Sequence, residues 1–222
     1  MFFHRFANNT NSQSVATQLR RQRFQILLDT IGNVDGDVAI LDVGGRMAYW
    51  EMMLAGTSLV NHIHVTLLDV VAQETTHQNF LAVIGDGRAM PQYRDGQFDV
   101  VFSNSVIEHA GSFADQWRMA AEIQRVGRGY YVQTPNRHFP VEPHFVFPFF
   151  QYLPLGVRVW LVRHFSLGWY PRLPEPEAAL REVASIRLLT RRELAQLFPE
   201  ARIVEERYAG LVKSFVAVGG SF

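Results

Sequence analysis

The sequence contains no cysteine among its 222 residues. Disulfide bonds, thiolate metal sites and cysteine nucleophiles are therefore excluded, and the absence fits a reducing compartment. The formal net charge is zero, because 21 basic side chains are balanced by 21 acidic ones. A chain without net positive charge has no general attraction to nucleic acid, so a nucleic-acid partner is not expected.

Long apolar runs and internal repeats are also missing. No uncharged stretch reaches the length of about 18 residues that a membrane span needs, and the most apolar segment, 145–165, is interrupted by Arg158 and Arg163. The first ten residues lack the apolar run and small-residue cleavage site of a signal peptide. We therefore expect a cytoplasmic protein, and we predict a single domain over 1–222 because 48% of the residues are apolar.

Two apolar periodicities alternate along the chain. Helical spacing predicts a covering helix over 14–31 and another over 113–126, and Thr190 with Glu193 forms a capping box that begins a helix ending near Phe198. Continuous apolar runs predict strands buried on both faces, as in a parallel sheet. This alternation predicts an α/β fold with one antiparallel strand near the end of the chain. The predicted strands cover 38–43, 64–68, 80–84, 98–102, 130–133, 203–207 and 212–218.

Residues 135–189 differ in composition from the rest of the chain. The segment is rich in proline, aromatic residues and arginine, and seven Arg stand against three Glu between 151 and 192. We predict an inserted lid here rather than more sheet. The aromatic stretch at 145–170 fits peripheral contact with the inner membrane surface, or a homodimer contact, and a lid packed on the sheet edge is the plainer alternative.

A glycine or a carboxylate stands where each early strand ends. The carboxyl ends of parallel strands form the edge at which nucleotide-like ligands bind. Asp42 is suited to a ligand ammonium or to fixing the loop, Asp69 to a ribose diol, and Asp86 to an exocyclic amine of adenine. A Cβ at Gly44 would collide with a ligand drawn close to the turn, so the sequence predicts close approach there.

These motifs resemble those of class I S-adenosylmethionine-dependent methyltransferases, in particular the bacterial type 11 and type 12 groups. The match rests on LeuAspValGly at 41–44, Asp69, GlyAsp at 85–86, and PheAspValValPheSerAsn at 98–104 with GluHis following. It covers 38–134 closely and 190–218 in outline. The resemblance implies a Rossmann-like, doubly wound sheet of seven strands with the last antiparallel, and S-adenosylmethionine as cofactor. The implied cofactor residues are Asp42, Gly44, Gly45, Asp69, Val70, Asp86, Gly87, Arg88, Ser103 and Asn104.

The first glycine loop departs from the family pattern. Its usual Gly-x-Gly-x-Gly would fall at 44, 46 and 48, where this chain has Gly44, Arg46 and Ala48. A dehydrogenase fingerprint would need glycine at 46 and 49, and both are absent. Two functions therefore stay open: a methyltransferase, and a non-catalytic domain that binds a partner through the aromatic lid while Arg46 blocks the site.

The acceptor side of the predicted site is less defined. A hydroxyl acceptor must lose a proton, for which histidine is the usual base, and His109 after the fourth strand is the first candidate. His144 is the second, on the proline-stiffened segment 134–144 that we expect to line the acceptor pocket. Glu142 and His144 lack i, i+4 spacing and a clear third ligand, so no metal site is predicted.

The methyl acceptor is expected to be a small or lipid-linked molecule, methylated at oxygen. The AsnProProTyr motif of amino-group methylation is missing, because SerAsnSerVal occupies 103–106. The expected partners are therefore this acceptor and the cofactor.

Overall fold

The computed structural model describes residues 15–32, 36–57 and 59–221. Nine strands are present in this part of the chain, of which seven form one sheet in the order β3-β2-β1-β4-β5-β9-β8 and two form a small separate pair, β6 and β7. The strands are β1 (Val38–Val43), β2 (Ile63–Asp69), β3 (Phe80–Ile84), β4 (Phe98–Asn104), β5 (Gly127–Pro135), β6 (Val141–Glu142), β7 (Phe147–Pro148), β8 (Arg202–Tyr208) and β9 (Leu211–Gly220).

The large sheet is parallel except at its last strand. β1 to β5 pair in parallel, and β9 runs antiparallel to both of its neighbours, β5 and β8. The predicted Rossmann-like sheet of seven strands with one antiparallel strand is confirmed. The parallel pairing matters for function because it brings the carboxyl ends of four strands to one edge.

Six α-helices lie in the described part of the chain, and four of them pack on the sheet. One face is covered by α1 and α2, and the other by α3 and α6. Successive residues of a strand point to opposite faces of the sheet. Ile40 is buried on the face covered by α1 and α2, and Leu41 on the face covered by α3 and α6, and neither has exposed surface. The helices are α1 (Val15–Ile31), α2 (Met47–Leu54), α3 (Phe113–Val126), α4 (Leu155–His164), α5 (Pro176–Ala184) and α6 (Arg191–Leu197).

Two helix starts follow directly from sequence signals. Thr190 Oγ1 accepts a hydrogen bond from Glu193 N, while the Glu193 carboxylate accepts from Thr190 N, so the predicted capping box begins α6. Ser112 and Asp115 form the same motif before α3. In each case the side chains satisfy backbone N–H groups that a helix start leaves unpaired.

The segment 135–189 holds more regular structure than the sequence indicated. Helices α4 and α5 and the short β6–β7 pair occur within it. It also has a small core of its own, so the helices gain stability from burial that a loop would lack. That core is formed by Phe145, Phe150, Val162, Ala179 and Val183.

Helix α2 was not predicted from the sequence. Its eight residues, Met47–Leu54, are apolar around most of the helix, so the periodic signal is weak. Met47, Trp50, Met53 and Leu54 are nevertheless buried against the sheet. The prediction of a helix from residue 14 includes one residue outside the described part. None of the described helices combines the length and the apolar character of a membrane span.

Candidate functional site

The carboxyl ends of β1, β2, β3 and β4 lie side by side. The register pairs Asp42 with Leu67 and with Phe102, and Asp69 with Ile84. The residues that the sequence proposed for cofactor binding therefore lie at one edge of the sheet rather than on separate faces. The segments after β4 and β5 bring His109 and His144 together, with ring centroids 4.9 Å apart.

Asp42 is a buried carboxylate that is bonded to a side chain of α2. Its side chain accepts a hydrogen bond of 2.7 Å from the Trp50 indole N–H, and the residue is only 2% exposed. Burial raises the pKa of Asp42 to about 7, although the Trp50 hydrogen bond acts in the opposite direction. The hydrogen bond joins the end of β1 to α2, and the two roles expected for Asp42, binding a ligand ammonium and fixing the loop, stay predictions.

The glycines of the first loop are required by neighbouring side chains. A Cβ at Gly44, whose φ is +76°, would come within 2.5 Å of the Val106 side chain. A Cβ at Gly45 would overlap the Asp42 carboxylate. Gly44 is therefore required for packing against Val106, and the expectation that it also lets a ligand approach closely stays a prediction.

Asp69 is paired with the arginine that interrupts the glycine pattern. One carboxylate oxygen accepts from Val71 N at 3.0 Å. The other lies 3.2 Å from Arg46 Nε, and the Arg46 side chain is 57% exposed. The guanidinium therefore reaches over the loop to the acid predicted for the ribose, instead of pointing away from the site.

Asp86 is held by Arg88 on the neighbouring turn. Three nitrogens of Arg88 donate to the Asp86 carboxylate at 2.7–3.0 Å, and Arg88 also donates to Ala110 O at 3.2 Å. The hydrogen bond from Arg88 lowers the pKa of Asp86. Arg88 thus braces the loop, and Gly87 lets it approach β1, because a Cβ there would meet Val43 Cγ1 at 2.5 Å.

The end of β4 combines a buried brace with a strained turn. Ser103 is fully buried, and its hydroxyl donates to Val43 O at 3.2 Å, so it joins β4 to β1. Asn104 is half-buried at the end of the strand. Ser105 follows with φ +58°, a conformation that costs energy in a residue with a Cβ and that occurs often at functional sites.

Four titratable side chains meet beyond this turn, and we call them the His–Glu cluster: Glu108, His109, Glu142 and His144. His144 Nδ1 lies 2.7 Å from Glu142 Oε1, and His144 Nε2 lies 3.9 Å from Glu108 Oε1. Glu108 and His109 come from the turn after β4, whereas Glu142 and His144 come from the segment after β5.

The two histidines of the His–Glu cluster have opposite electrostatic surroundings. Loss of water around the imidazole, together with the nearby His144, lowers the pKa of His109 to about 4, although the residue as a whole is exposed. Burial alone would also lower the pKa of His144, but the hydrogen bond and charge of Glu142 and the charge of Glu108 raise it above its ordinary value. Burial raises the pKa of Glu108, which is fully enclosed.

A cavity of about 250 Å³ adjoins the His–Glu cluster within the lid. Glu142 belongs to both, since it bonds His144 and also lines the cavity. Arg158 Nε and Gln151 Oε1 are buried atoms without a hydrogen-bond partner. Arg187, in contrast, is bonded to Gln116 and Glu193. The lining residues are Arg137, Glu142, Phe145, Phe150, Gln151, Arg158, Val183, Ile186, Arg187 and Leu188.

The two halves of the segment 134–144 make different contacts. Asn136 Nδ2 donates to Val212 O at 2.7 Å and His138 Nδ1 lies 2.8 Å from the Tyr152 hydroxyl, so both side chains serve packing. Glu142 and His144 belong to the His–Glu cluster, and Thr134 Oγ1 donates a hydrogen bond to Glu108 Oε2 at 2.9 Å. Within this segment, Arg137 and Glu142 line the cavity in the lid.

Comparison with known proteins agrees with this geometry. Residues 41–129 match the family model described as "Methyltransferase domain". The order of the strands in the sheet agrees with that match. Residues 41–129 are therefore similar to a class I S-adenosylmethionine-dependent methyltransferase domain.

Solved methyltransferases share the fold of this domain at low sequence identity. The carbon methyltransferase of CurJ aligns with a TM-score of 0.59 at 11% identity, over 94% of this chain and 56% of that one. The N-methyltransferase NodS of Bradyrhizobium japonicum, solved with S-adenosylhomocysteine, aligns with a TM-score of 0.53 at 10% identity. The alignment covers 90% of this chain and 85% of NodS. These likenesses show the fold alone.

A curated relative is an uncharacterized protein of Mycobacterium tuberculosis. It is 28% identical over 154 residues, which cover 62% of this chain and 49% of the relative. The chain thus spans about half the length of the curated relatives it matches.

The edge of the sheet has groups that fit S-adenosylmethionine, although Arg46 is paired with one of them, Asp69. Asp69 presents a carboxylate at the end of β2, and Val70 and Ile84 beside it are apolar yet 69% and 67% exposed, which suits the face of a purine. Arg46 competes for the carboxylate. A half-exposed ion pair contributes only about 0–1 kcal/mol, so its displacement is a small cost.

Sequence reasoning missed several residues of the methyltransferase domain's site. Glu108 was read only as the neighbour of His109, and Arg137 and Arg158 only as lid residues. The one available signal was Arg158, a charge inside the most apolar stretch of the chain. Gln73 gave no signal, although it bonds Gly45 O at 2.8 Å and accepts from Met47 N at 3.1 Å, joining the first loop to α2.

Asp42→Asn is expected to change how stability depends on pH. The raised pKa means that the folded protein keeps a proton on Asp42 that the unfolded chain loses, so this contribution is present at low pH and lost as pH rises towards 7. Relative to the wild type, the variant should gain about 2–3 kcal/mol of unfolding free energy between pH 5 and pH 8. Urea denaturation at both pH values measures this.

The control for that experiment is Asp86→Asn, because Arg88 lowers the pKa of Asp86 and places its titration at more acid pH. The difference between this variant and the wild type should stay constant between pH 5 and pH 8. Parallel stability curves for Asp42→Asn and wild type would contradict a buried, protonated Asp42.

Arg46 and Asp69 are expected to affect cofactor binding in opposite directions. Asp69→Ala should weaken binding of S-adenosylhomocysteine at least about tenfold, since hydrogen bonds to a charged acceptor contribute roughly 1.5–3 kcal/mol. Arg46→Ala should tighten binding by at most about fivefold, because it releases an ion pair of about 0–1 kcal/mol. Isothermal titration calorimetry measures both, with Arg128→Ala as the control, since Arg128 pairs with Asp99 at the opposite edge of the sheet. Wild-type affinity in Asp69→Ala would rule out the ribose role.

Proposed function

We propose that this chain methylates a hydroxyl oxygen of a small anionic molecule, with S-adenosylmethionine as methyl donor. The observation that carries the proposal is the position of the His–Glu cluster between the cofactor edge of the sheet and the cavity in the lid. His109 follows β4, at whose end the family binds its cofactor, and Glu142 lines the cavity. An acceptor in the cavity would therefore lie beside the groups that can take its proton.

The cofactor, when bound, supplies a methyl group on a positively charged sulfur, so the protein has three tasks. It must hold the acceptor, exclude water and let the hydroxyl proton leave. We propose that Asp69 holds the ribose, with Val70 and Ile84 beside the adenine, and that His109 and His144 activate the hydroxyl. The Glu142 hydrogen bond to His144 Nδ1 fixes the ring so that Nε2 faces Glu108 and His109.

The cavity supports an acceptor of limited size that carries negative charge. Its volume of about 250 Å³ corresponds to roughly eight waters of bulk liquid. Two of its three arginines make no ion pair within the described residues: Arg158 Nε is buried without a hydrogen-bond partner and has only the charge of Glu142 nearby, and the Arg137 guanidinium has no carboxylate partner. An anionic group would satisfy both, because arginine matches carboxylate and phosphate geometry. Phe145 and Phe150 supply apolar walls.

A second candidate function is a non-catalytic domain that binds a partner through the lid. The observation in its favour is the set of exposed rings there, with Trp160 and Phe165 each 51% exposed and Trp169 45% exposed. The position of Arg46 on Asp69 agrees with it as well. Calorimetry separates the two candidates, because a non-catalytic domain would show no affinity for S-adenosylhomocysteine.

The His–Glu cluster is expected to be needed for turnover and not for cofactor binding. His144→Gln should lower kcat by about 10²–10⁴, the usual contribution of a positioned proton acceptor, while the affinity for S-adenosylhomocysteine stays at the wild-type value. The assay uses S-adenosylmethionine with a panel of hydroxy acids and phosphorylated alcohols and measures formation of S-adenosylhomocysteine. His164→Gln is the control, because His164 lies on α4 and bonds only Trp160 O. Unchanged kcat in His144→Gln would remove the cluster from the reaction.

Replacing Arg158, whose Nε has no hydrogen-bond partner, tests whether the acceptor carries negative charge. Arg158→Met should raise KM for acidic acceptors about 10- to 100-fold, the value of a lost hydrogen bond to a charged group. Neutral analogues, such as the methyl esters of the same hydroxy acids, should be poor substrates of both proteins. Arg181→Gln is the matched control, because Arg181 lies on the lid surface with its side chain 73% exposed. A preference of the wild type for neutral acceptors would overturn the anionic assignment.

A further inference from the structure

The geometry points to a divalent metal site formed by Glu108, His109 and His144, with Zn²⁺ as the ion that this ligand set fits best. Each residue offers one ligand atom, and the three atoms lie within 4.8 Å of one another. The sequence predicted no metal because Glu142 and His144 had no third ligand. The structure brings two further ligands from the turn after β4, a segment about 35 residues earlier in the chain.

The first observation is an unpartnered oxygen inside the protein. Glu108 has no exposed surface, and its Oε1 has no hydrogen-bond partner, whereas its Oε2 accepts from Thr134 Oγ1 at 2.9 Å. Burial of a carboxylate oxygen without a partner is costly. His144 Nε2 lies 3.9 Å away, which is too far for a hydrogen bond. A cation between them would satisfy both atoms.

The second observation is that the neighbours of the ligands are arranged as around a metal. A metal-binding imidazole usually gives its other ring N–H to a carboxylate, which fixes the ring and strengthens it as a ligand. Glu142 occupies that position on His144 Nδ1 at 2.7 Å and also accepts from the backbone N–H groups of His144 and Phe145. The Glu108 carboxylate is held in turn by the Thr134 hydroxyl, which donates a hydrogen bond to Oε2.

The ligand types limit the choice of ion. Two imidazole nitrogens with one carboxylate oxygen suit a first-row transition ion rather than Mg²⁺ or Ca²⁺, which prefer oxygen alone. Three protein ligands also leave one or two positions open, as in catalytic zinc sites. The site could therefore bind an oxygen of another molecule directly.

The role of the ion rests on the proposed function, in which an acceptor in the neighbouring cavity, lined by Glu142, occupies the open position. A hydroxyl bound to a divalent ion gives its proton to water more readily. The resulting oxygen forms a bond to the methyl carbon as the carbon–sulfur bond breaks and its electron pair passes to the sulfur. His109 and His144 then act in methyl transfer by holding the ion.

Metal binding can be measured without cofactor or acceptor. The full chain, treated with EDTA and dialysed, is titrated with ZnCl₂ by calorimetry, and CoCl₂ is used as a coloured probe in the visible range. We expect one saturable site. His109→Ala and His144→Ala should each weaken Zn²⁺ binding at least about tenfold, and Glu142→Gln about 10- to 100-fold, as for other residues that support metal ligands.

His64→Ala is the control for adventitious binding, because His64 is an exposed histidine 3.5 Å from Asp37 at the other end of β2. Circular dichroism checks folding, and if His144→Ala is unfolded, His109→Ala decides, since His109 is exposed. Absence of a saturable Zn²⁺ site overturns the proposal. Zn²⁺ binding that is lost in His64→Ala and kept in His109→Ala and His144→Ala overturns it as well.

An active protein that binds no Zn²⁺ refutes the metal site alone. A protein that binds Zn²⁺ through the cluster but has no methyltransferase activity refutes the proposed function alone.

Discussion

The site depends on the carboxylate of Glu142, which is 2% exposed and accepts three hydrogen bonds. Two come from backbone N–H groups and shape the segment after β5, and the third involves the His144 ring. The same side chain lines the cavity in the lid. One buried acid therefore orients the His144 imidazole and also forms part of the wall of the cavity in the lid. Loss of its charge would affect both regions at once.

The cofactor side of the site is built from packing as much as from ligand contacts. A Cβ at Gly44, Gly45 or Gly87 would clash with the side chain of Val106, Asp42 or Val43 respectively. The three glycines therefore let these segments pack closer together than residues with side chains would allow. Ser103 ties β4 to β1 beneath them. At this closely packed edge, Asp69 and Asp86 each pair with a partly exposed arginine, Arg46 and Arg88 respectively. The Arg46–Asp69 ion pair is weak because Arg46 is exposed to water, so a ligand can displace Arg46 from this edge.

Much of the sheet was predictable because buried parallel strands and capped helices leave local signals. The run at 98–104 is apolar on both faces, and Thr190 with Glu193 marks a helix start within four residues. Helix α2 lacks such a signal, since its side chains are apolar all round. The helices of the lid were not predicted because their burial comes from a core formed by residues up to 38 positions apart, from Phe145 to Val183. The packing of Gly44 against Val106 was likewise set by a neighbour in space.

The sequence by itself determined the sheet, the family and the acids at the ends of the strands, because each rests on a pattern of consecutive residues. Only the tertiary structure decided which of those residues are free to act. Whether Asp42 faces solvent or Trp50, and whether Arg46 points outward or to Asp69, depends on side chains that approach from other segments. Glu108 and His144 lie 36 positions apart and meet because β4 and β5 are neighbours in the sheet. Distance along the chain carries no information about such a meeting, and the fold supplies it.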